Sequence, residues 1–238
     1  MNVPALVTLS VWGVEQSRIP GALLRMSTQR RAVRSFPGAT FAKLLGTGSG
    51  ETFSVRDSDP RHWALLTCWD APQAAAAFEQ SRVIRRWNAS SSERLRVELV
   101  PVASTGEWSG QRPFGVPADG NYRPEFAGAV AAITRARLRP STAPRFWHAV
   151  PPVVAALHES AGLLLAIGVG EAPIGLQGTF SMWRSAADLT SFAYEGAEHR
   201  RAIQQTKEVG WYSEELFARF AVQAAEGTYR GQGVLVSP

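Results

Sequence analysis

The chain has 238 residues, 45% of them hydrophobic and 19% charged, which suits one large domain or two small ones and excludes a disordered chain. Its net charge of +5 comes from scattered arginines with no Lys/Arg block, so it reads as a solvated basic surface and not a nucleic-acid groove; anionic partners such as propionates or an acidic electron donor stay open. The single cysteine, Cys68, excludes an intrachain disulfide framework and cysteine-rich zinc sites, and no apolar run is long enough to span a bilayer.

The N-terminus alternates apolar and polar residues and has neither a basic leader nor a small-residue cleavage site, so the expected location is cytoplasmic. An apolar substrate would then reach a soluble or membrane-peripheral protein. In chain order, Ala5 to Trp12 predicts a strand, and Pro20 opens a helix running to about Arg34. Phe41 to Gly46 and His62 to Trp69 follow as strands, then a helix from Ala71 to about Ala89 and a strand from Leu95 to Val102. The second half predicts strands at Val130–Leu138, Leu163–Val169, Thr179–Trp183 and Glu215–Val222. Helices are expected after Pro144 and from Ala186 to Lys207.

These elements repeat. Thr67-Cys-Trp-Asp-Ala-Pro-Gln-Ala-Ala-Ala-Ala-Phe78 answers Ser181-Met-Trp-Arg-Ser-Ala-Ala-Asp-Leu-Thr-Ser-Phe192, with the Trp and Phe positions at one common interval. Gly46 and Gly48 align with Gly168 and Gly170, and Gly106-Glu-Trp-Ser-Gly110 with Gly227-Thr-Tyr-Arg-Gly231. The order is βαββαβ twice. The expected fold is α+β, two tandem ferredoxin-like repeats whose sheets face each other in a pseudo-dimeric barrel. Residues 1–108 form the first repeat, 109–126 a Gly/Pro-rich linker and 127–238 the second; further homodimerisation stays open.

The second half also carries Ala132-Ile-Thr-Arg-Ala-Arg-Leu-Arg-Pro140, Arg145-Phe-Trp147, Ile167-Gly-Val-Gly-Glu171, Phe192-Ala-Tyr194, His199-Arg-Arg-Ala-Ile203 and Gly210-Trp-Tyr-Ser-Glu-Glu-Leu-Phe-Ala-Arg-Phe220. In these segments the chain resembles the spheroidene monooxygenase family over nearly its whole length. The resemblance implies a monooxygenase using haem b iron on a small apolar substrate, a carotenoid in that family. It also implies an external electron donor such as a ferredoxin, since no flavin or nicotinamide motif is evident. The wider barrel fold leaves two alternatives: a haem-dependent dehydratase acting on N–O substrates, and a cofactor-free barrel that binds a small apolar molecule.

A haem needs one axial imidazole. Helical spacing puts His199 on one stripe with Phe192, Gly196 and Ile203, and Gly196 would leave flat space for a porphyrin. The resemblance makes His199 the axial ligand, and the first repeat, with Arg85 at the matching place, the half without haem. A packing or capping role for His199 stays open, with His148 next in line as ligand. His158 suits a helix end, and His62 a solvated loop. Cys68 is a thiolate alternative, although its strand position suggests a buried apolar site. Arg135 and Arg137 share a face of one strand, and Arg219 comes from the last strand. Arg135 and Arg219 are the candidates to meet the propionates or charge developing during oxidation.

Overall fold

The computed structural model describes residues 3–48, 57–118, 128–139, 141–142, 152, 154–171, 176–195 and 210–236. The first half runs β1 (Leu6–Val14), α1 (Ile19–Thr28), α2 (Arg30–Arg34), β2 (Ala39–Gly48), β3 (Ser58–Trp69), α3 (Pro72–Glu79), α4 (Arg82–Asn88) and β4 (Ser91–Gly106). The second runs β5 (Val130–Leu138), a helical stretch α5 (residues 154–159), β6 (Leu163–Gly170), β7 (Leu176–Trp183), α6 (Ala186–Glu195), β8 (Tyr212–Tyr229) and β9 (Gln232–Val236). Both helical runs expected in the first half are broken. Ser81 is extended and its Oγ accepts the Ile84 amide at 3.3 Å, which starts a new helix after Glu79. Gln29 ends α1 with its amide on the Arg25 carbonyl, while its side chain accepts the Trp87 indole N–H at 3.0 Å.

The strands form one antiparallel sheet in the order β4-β1-β3-β2-β6-β7-β5-β8-β9, and β4 also pairs with β8, which closes eight strands into a barrel. Within each half the order is the ferredoxin-like one. The halves meet through β2–β6 (Gly46↔Gly170 to Gly48↔Gly168) and through the long β4–β8 ribbon, from Leu95↔Gly227 to Gly106↔Leu216. Alternating residues of all eight strands fill the interior, among them Val7, Leu9, Leu66, Cys68, Val97, Ile133, Phe180, Met182 and Phe220. Inward apolar residues on both sheets explain why neither sheet leaves a wet inner face.

The repeat is written into the backbone. Gly106 and Gly227 (φ 82° and 115°), Ser109 and Arg230 (55° and 52°), and Gly110 and Gly231 (69° and 73°) are matched pairs. A Cβ on Gly106 would lie 2.1 Å from the Glu215 carbonyl oxygen, and one on Gly227 2.0 Å from that of Arg94, so neither position admits a side chain. The glycines of β2 and β6 align differently from the sequence expectation. Pairing with β3 and β7 makes Gly46 equivalent to Gly170, two residues from the match expected with Gly168.

The hairpin strand β9 was not expected from the sequence. Its turn, Arg230-Gly231, has both φ values positive, as in a type I′ hairpin. Ser109-Gly110 makes the same turn in the first half, where Trp108 and Gln111 exchange backbone hydrogen bonds at 2.8 and 3.3 Å.

Candidate functional site

Outside the barrel each sheet turns its second face to helices, and the two faces differ. In the first half Trp12 and Trp63 form one row across the sheet, and Leu65 and Leu44 belong to the next. All four are buried in a core with Ala22, Val33, Phe78, Ile84 and Trp87 from the helices. Trp12 stacks on Trp87 with ring centroids 5.2 Å apart and donates its indole N–H to Asn88 Oδ1 at 2.8 Å. The register of β5–β8 puts Ala136, Gln177, Thr179 and Gly168 at the matching positions. The rows there read Ala166–Ser181–Ala132–Arg219 and Gly168–Thr179–Thr134–Phe217. The halves differ at three positions, where the small Ala136, Thr179 and Gly168 replace Trp12, Leu65 and Leu44; the row Ala166–Ser181–Ala132 is as small as its counterpart Ala42–Thr67–Thr8.

The far end of that surface is closed by Trp183, fully buried, with Phe192 of α6 tilted against it at 5.2 Å. Val130, Leu157, Leu163 and Leu189 complete this end. Phe192 therefore lies on the sheet-facing side of α6, where the helical stripe places it. Gly196 and His199 follow the end of α6 and lie outside the described residues, as does His148. Among the described residues there is no cluster of three or more His, Cys, Asp or Glu able to hold a metal ion.

The β5–β8 register settles where the two candidate arginines point. Ala131 and Ile133, like Ala218 and Phe220, belong to the barrel core. Arg135 continues the inward face, whereas Arg219 alternates with inward residues and lies on the helix side, beside Ala132 and next to the exposed Phe217. The two candidates therefore occupy opposite faces of the sheet and do not line one cavity. Arg137 is exposed.

Arg135 is 3% exposed and bonded on both sides, to Glu171 at 2.9 Å and to Glu214. Glu171 also accepts from Lys43, whose Nζ donates to Ser109 Oγ at 2.6 Å. Glu214 takes the amides of Ser109 and Gly110 at 3.1 and 2.8 Å. Burial opposes ionisation of Glu171, but the Lys43 and Arg135 hydrogen bonds prevail and hold its carboxyl below the ordinary range. Trp108 lies within cation–π distance of Lys43 and Arg135 and plugs this barrel end.

The opposite end repeats the plan with other partners. Glu93, the counterpart of Glu214, takes the amides of Arg230 and Gly231 at 3.2 and 3.1 Å. His62 bridges Glu93 at 2.7 Å and Asp59 at 2.8 Å, and Tyr229 packs edge-on to its ring. Burial works against the charged imidazole, yet the two carboxylates raise its pKa above the ordinary value. The solvated loop expected for His62 is in fact the first buried position within barrel strand β3. Cys68 is fully buried in the barrel interior, and desolvation pushes its thiol up, which disfavours a thiolate. His158 is exposed in α5, and Trp69, Trp183 and Trp211 are core residues.

No protein-family model matches the chain. Among curated proteins it is 34% identical to spheroidene monooxygenase of Rhodobacter capsulatus, over 93% of this chain and 91% of that protein. It is 38% identical to spheroidene monooxygenase of Rubrivivax gelatinosus, over 82% and 73%. Among solved structures, an aldoxime dehydratase in complex with butyraldoxime matches with a TM-score of 0.59 at 13% identity, over 91% of this chain and 79% of that one; at that identity the likeness is one of fold. With identity at this level sustained along nearly the full length of both sequences, the chain belongs to the spheroidene monooxygenase family.

Proposed function

We propose that this chain is a haem b-dependent monooxygenase that oxidises an apolar molecule of the carotenoid class, in a site between the second sheet and its helices. One observation carries the reading: Gly168, Thr179 and Ala136 stand where the first half packs Leu44, Leu65 and Trp12. A flat, weakly polar surface fits one face of a porphyrin, and the aromatic pair Trp183–Phe192 would exclude water at one edge. Arg219, on the helix side of β8 beside Ala132, supplies a cation suited to a propionate. His199 and Gly196 belong to the segment after α6, and in this reading His199 would hold the haem iron. When bound, the haem iron supplies oxygen activation, with electrons from an external donor such as a ferredoxin. The chain itself binds, orients and desolvates. Arg135, held by two carboxylates on the inner face, is a structural group in this reading and not part of the site.

The test is the absorption spectrum of protein purified after haem-supplemented expression, with His199→Ala and Arg219→Leu alongside. The expected result is a Soret band in the parent chain, its loss in His199→Ala, and haem retention weakened several-fold in Arg219→Leu. A parent chain that takes up no haem overturns the proposal, and full retention in His199→Ala moves the ligand elsewhere.

A further inference from the structure

The helix layer of the first half has a surface that the proposed site does not use. α1 buries one residue, Ala22, and leaves Leu23 and Leu24 54% and 63% exposed. Exposed arginines lie just before and after this pair in α1 and α2: Arg18, Arg30, Arg31 and Arg34, with Arg25 across the Trp87 ring at 5.2 Å. Arg85 and Arg86 of α4 add exposed charge nearby. The charges are crowded, because burial and then the neighbouring Arg18 and Arg86 lower the Arg25 pKa. From residue 15 to 36 the only acid is Glu15, and none of these arginines has a carboxylate partner among the described residues. A cavity of about 150 Å³ opens between α2 and β2, lined by Arg30, Arg34, Lys43 and Glu171 among others. Lys43 and Arg135 already engage Glu171, the carboxylate lining this cavity.

We propose that the α1–α2 corner docks on an anionic lipid bilayer, with Leu23 and Leu24 entering the interface and Arg30, Arg31 and Arg34 meeting lipid phosphates. Basic charge alone would suit a nucleic acid or an acidic protein. The exposed leucine pair decides for lipid: two exposed leucines on a short helix with arginine beside them are the composition of an interfacial segment. Clustered arginines then add attraction to anionic headgroups. The surface is on the first half and does not depend on the haem reading, but it would bring the barrel to where an apolar, membrane-dissolved substrate resides.

The experiment is co-sedimentation of the purified full chain with vesicles of phosphatidylcholine containing phosphatidylglycerol, and with phosphatidylcholine alone. Binding should be at least about tenfold stronger to the anionic vesicles and should weaken with salt, as a screened interaction must. Arg30→Glu with Arg31→Glu, and separately Leu23→Ser with Leu24→Ser, should each lower binding about tenfold; the circular dichroism should stay unchanged, since all four side chains are exposed. The proposal is overturned by no binding to anionic vesicles or by binding of both double variants equal to that of the parent chain. It is also overturned if the leucine variant changes the oligomeric state without changing vesicle binding, since a second copy would then cover this face.

Discussion

Ala136→Trp installs in the second half the side chain that the first half carries at Trp12. In the first half that residue is fully buried, stacked on Trp87 and hydrogen-bonded to Asn88. Its removal, Trp12→Ala, should cost about 3–5 kcal/mol, the usual range for deleting a core aromatic. If the second half were packed to the same density, a tryptophan at 136 would overpack it and cost about 1–3 kcal/mol. If the space above Ala136 belongs to a ligand, the ligand-free protein should change by less than about 1 kcal/mol, while haem uptake and substrate turnover disappear. Urea denaturation of both variants, a haem titration followed at the Soret band and a turnover assay read the three quantities separately. Full haem binding and activity in Ala136→Trp, or a stability loss as large as that of Trp12→Ala, would refute the assignment of this space.

Arg135→Leu should destabilise by about 2–3 kcal/mol in urea denaturation while leaving haem binding intact. The loss falls below the full cost of orphaning a buried charge because Glu171 keeps Lys43 and Glu214 keeps the Ser109 and Gly110 amides. Stability should also depend on pH through His62. Its raised pKa means that protonated His62 contributes fully below the unfolded value of about 6.5, and the contribution is lost as pH rises through the folded value. Asp59 and Glu93, both lowered, contribute above the ordinary carboxylate range and lose it on acidification. Thermal melts should therefore peak on the acid side of neutrality, and His62→Gln should flatten the alkaline limb; an unchanged profile would show the clasp to be idle. Gly227→Ala should cost at least about 2 kcal/mol, from positive φ plus collision with the Arg94 carbonyl. Gly231→Ala has positive φ with nothing within 4 Å and should cost clearly less, so equal melting temperatures would contradict the packing argument.

Much of this fold was legible because the strands alternate and the chain repeats. Trp69 and Trp183 close β3 and β7, and Val130–Leu138 is the observed β5. The glycine alignment slipped by two, a shift that strand alternation cannot detect because it leaves every side chain on the same face. The hairpin to β9 escaped because its I′ turn has arginine at a position where Asn or Asp is the usual signal. Sequence alone could not decide that Arg135 and Arg219 face opposite ways, since that follows from how β5 and β8 register. The Lys43–Glu171–Arg135–Glu214 chain of contacts joins groups from distant parts of the sequence and exists only once the barrel closes. The contrast between Trp12 and Ala136 was present in the repeat; reading it required comparing the sizes of matched residues as well as their similarity.

The covalent link between the two halves has a consequence for symmetry. In a dimer of identical ferredoxin-like chains, a hollow cut into one sheet–helix layer is cut into both, and the assembly loses that packing twice. A tandem chain is free of this constraint. Here the first copy keeps its tryptophan layer, and the β4–β8 ribbon and the shared interior tie the second copy to it. A ligand site in the second layer alone, as proposed, would weaken that layer only, and the closed barrel between the two layers would stay as well packed as in a symmetric pair.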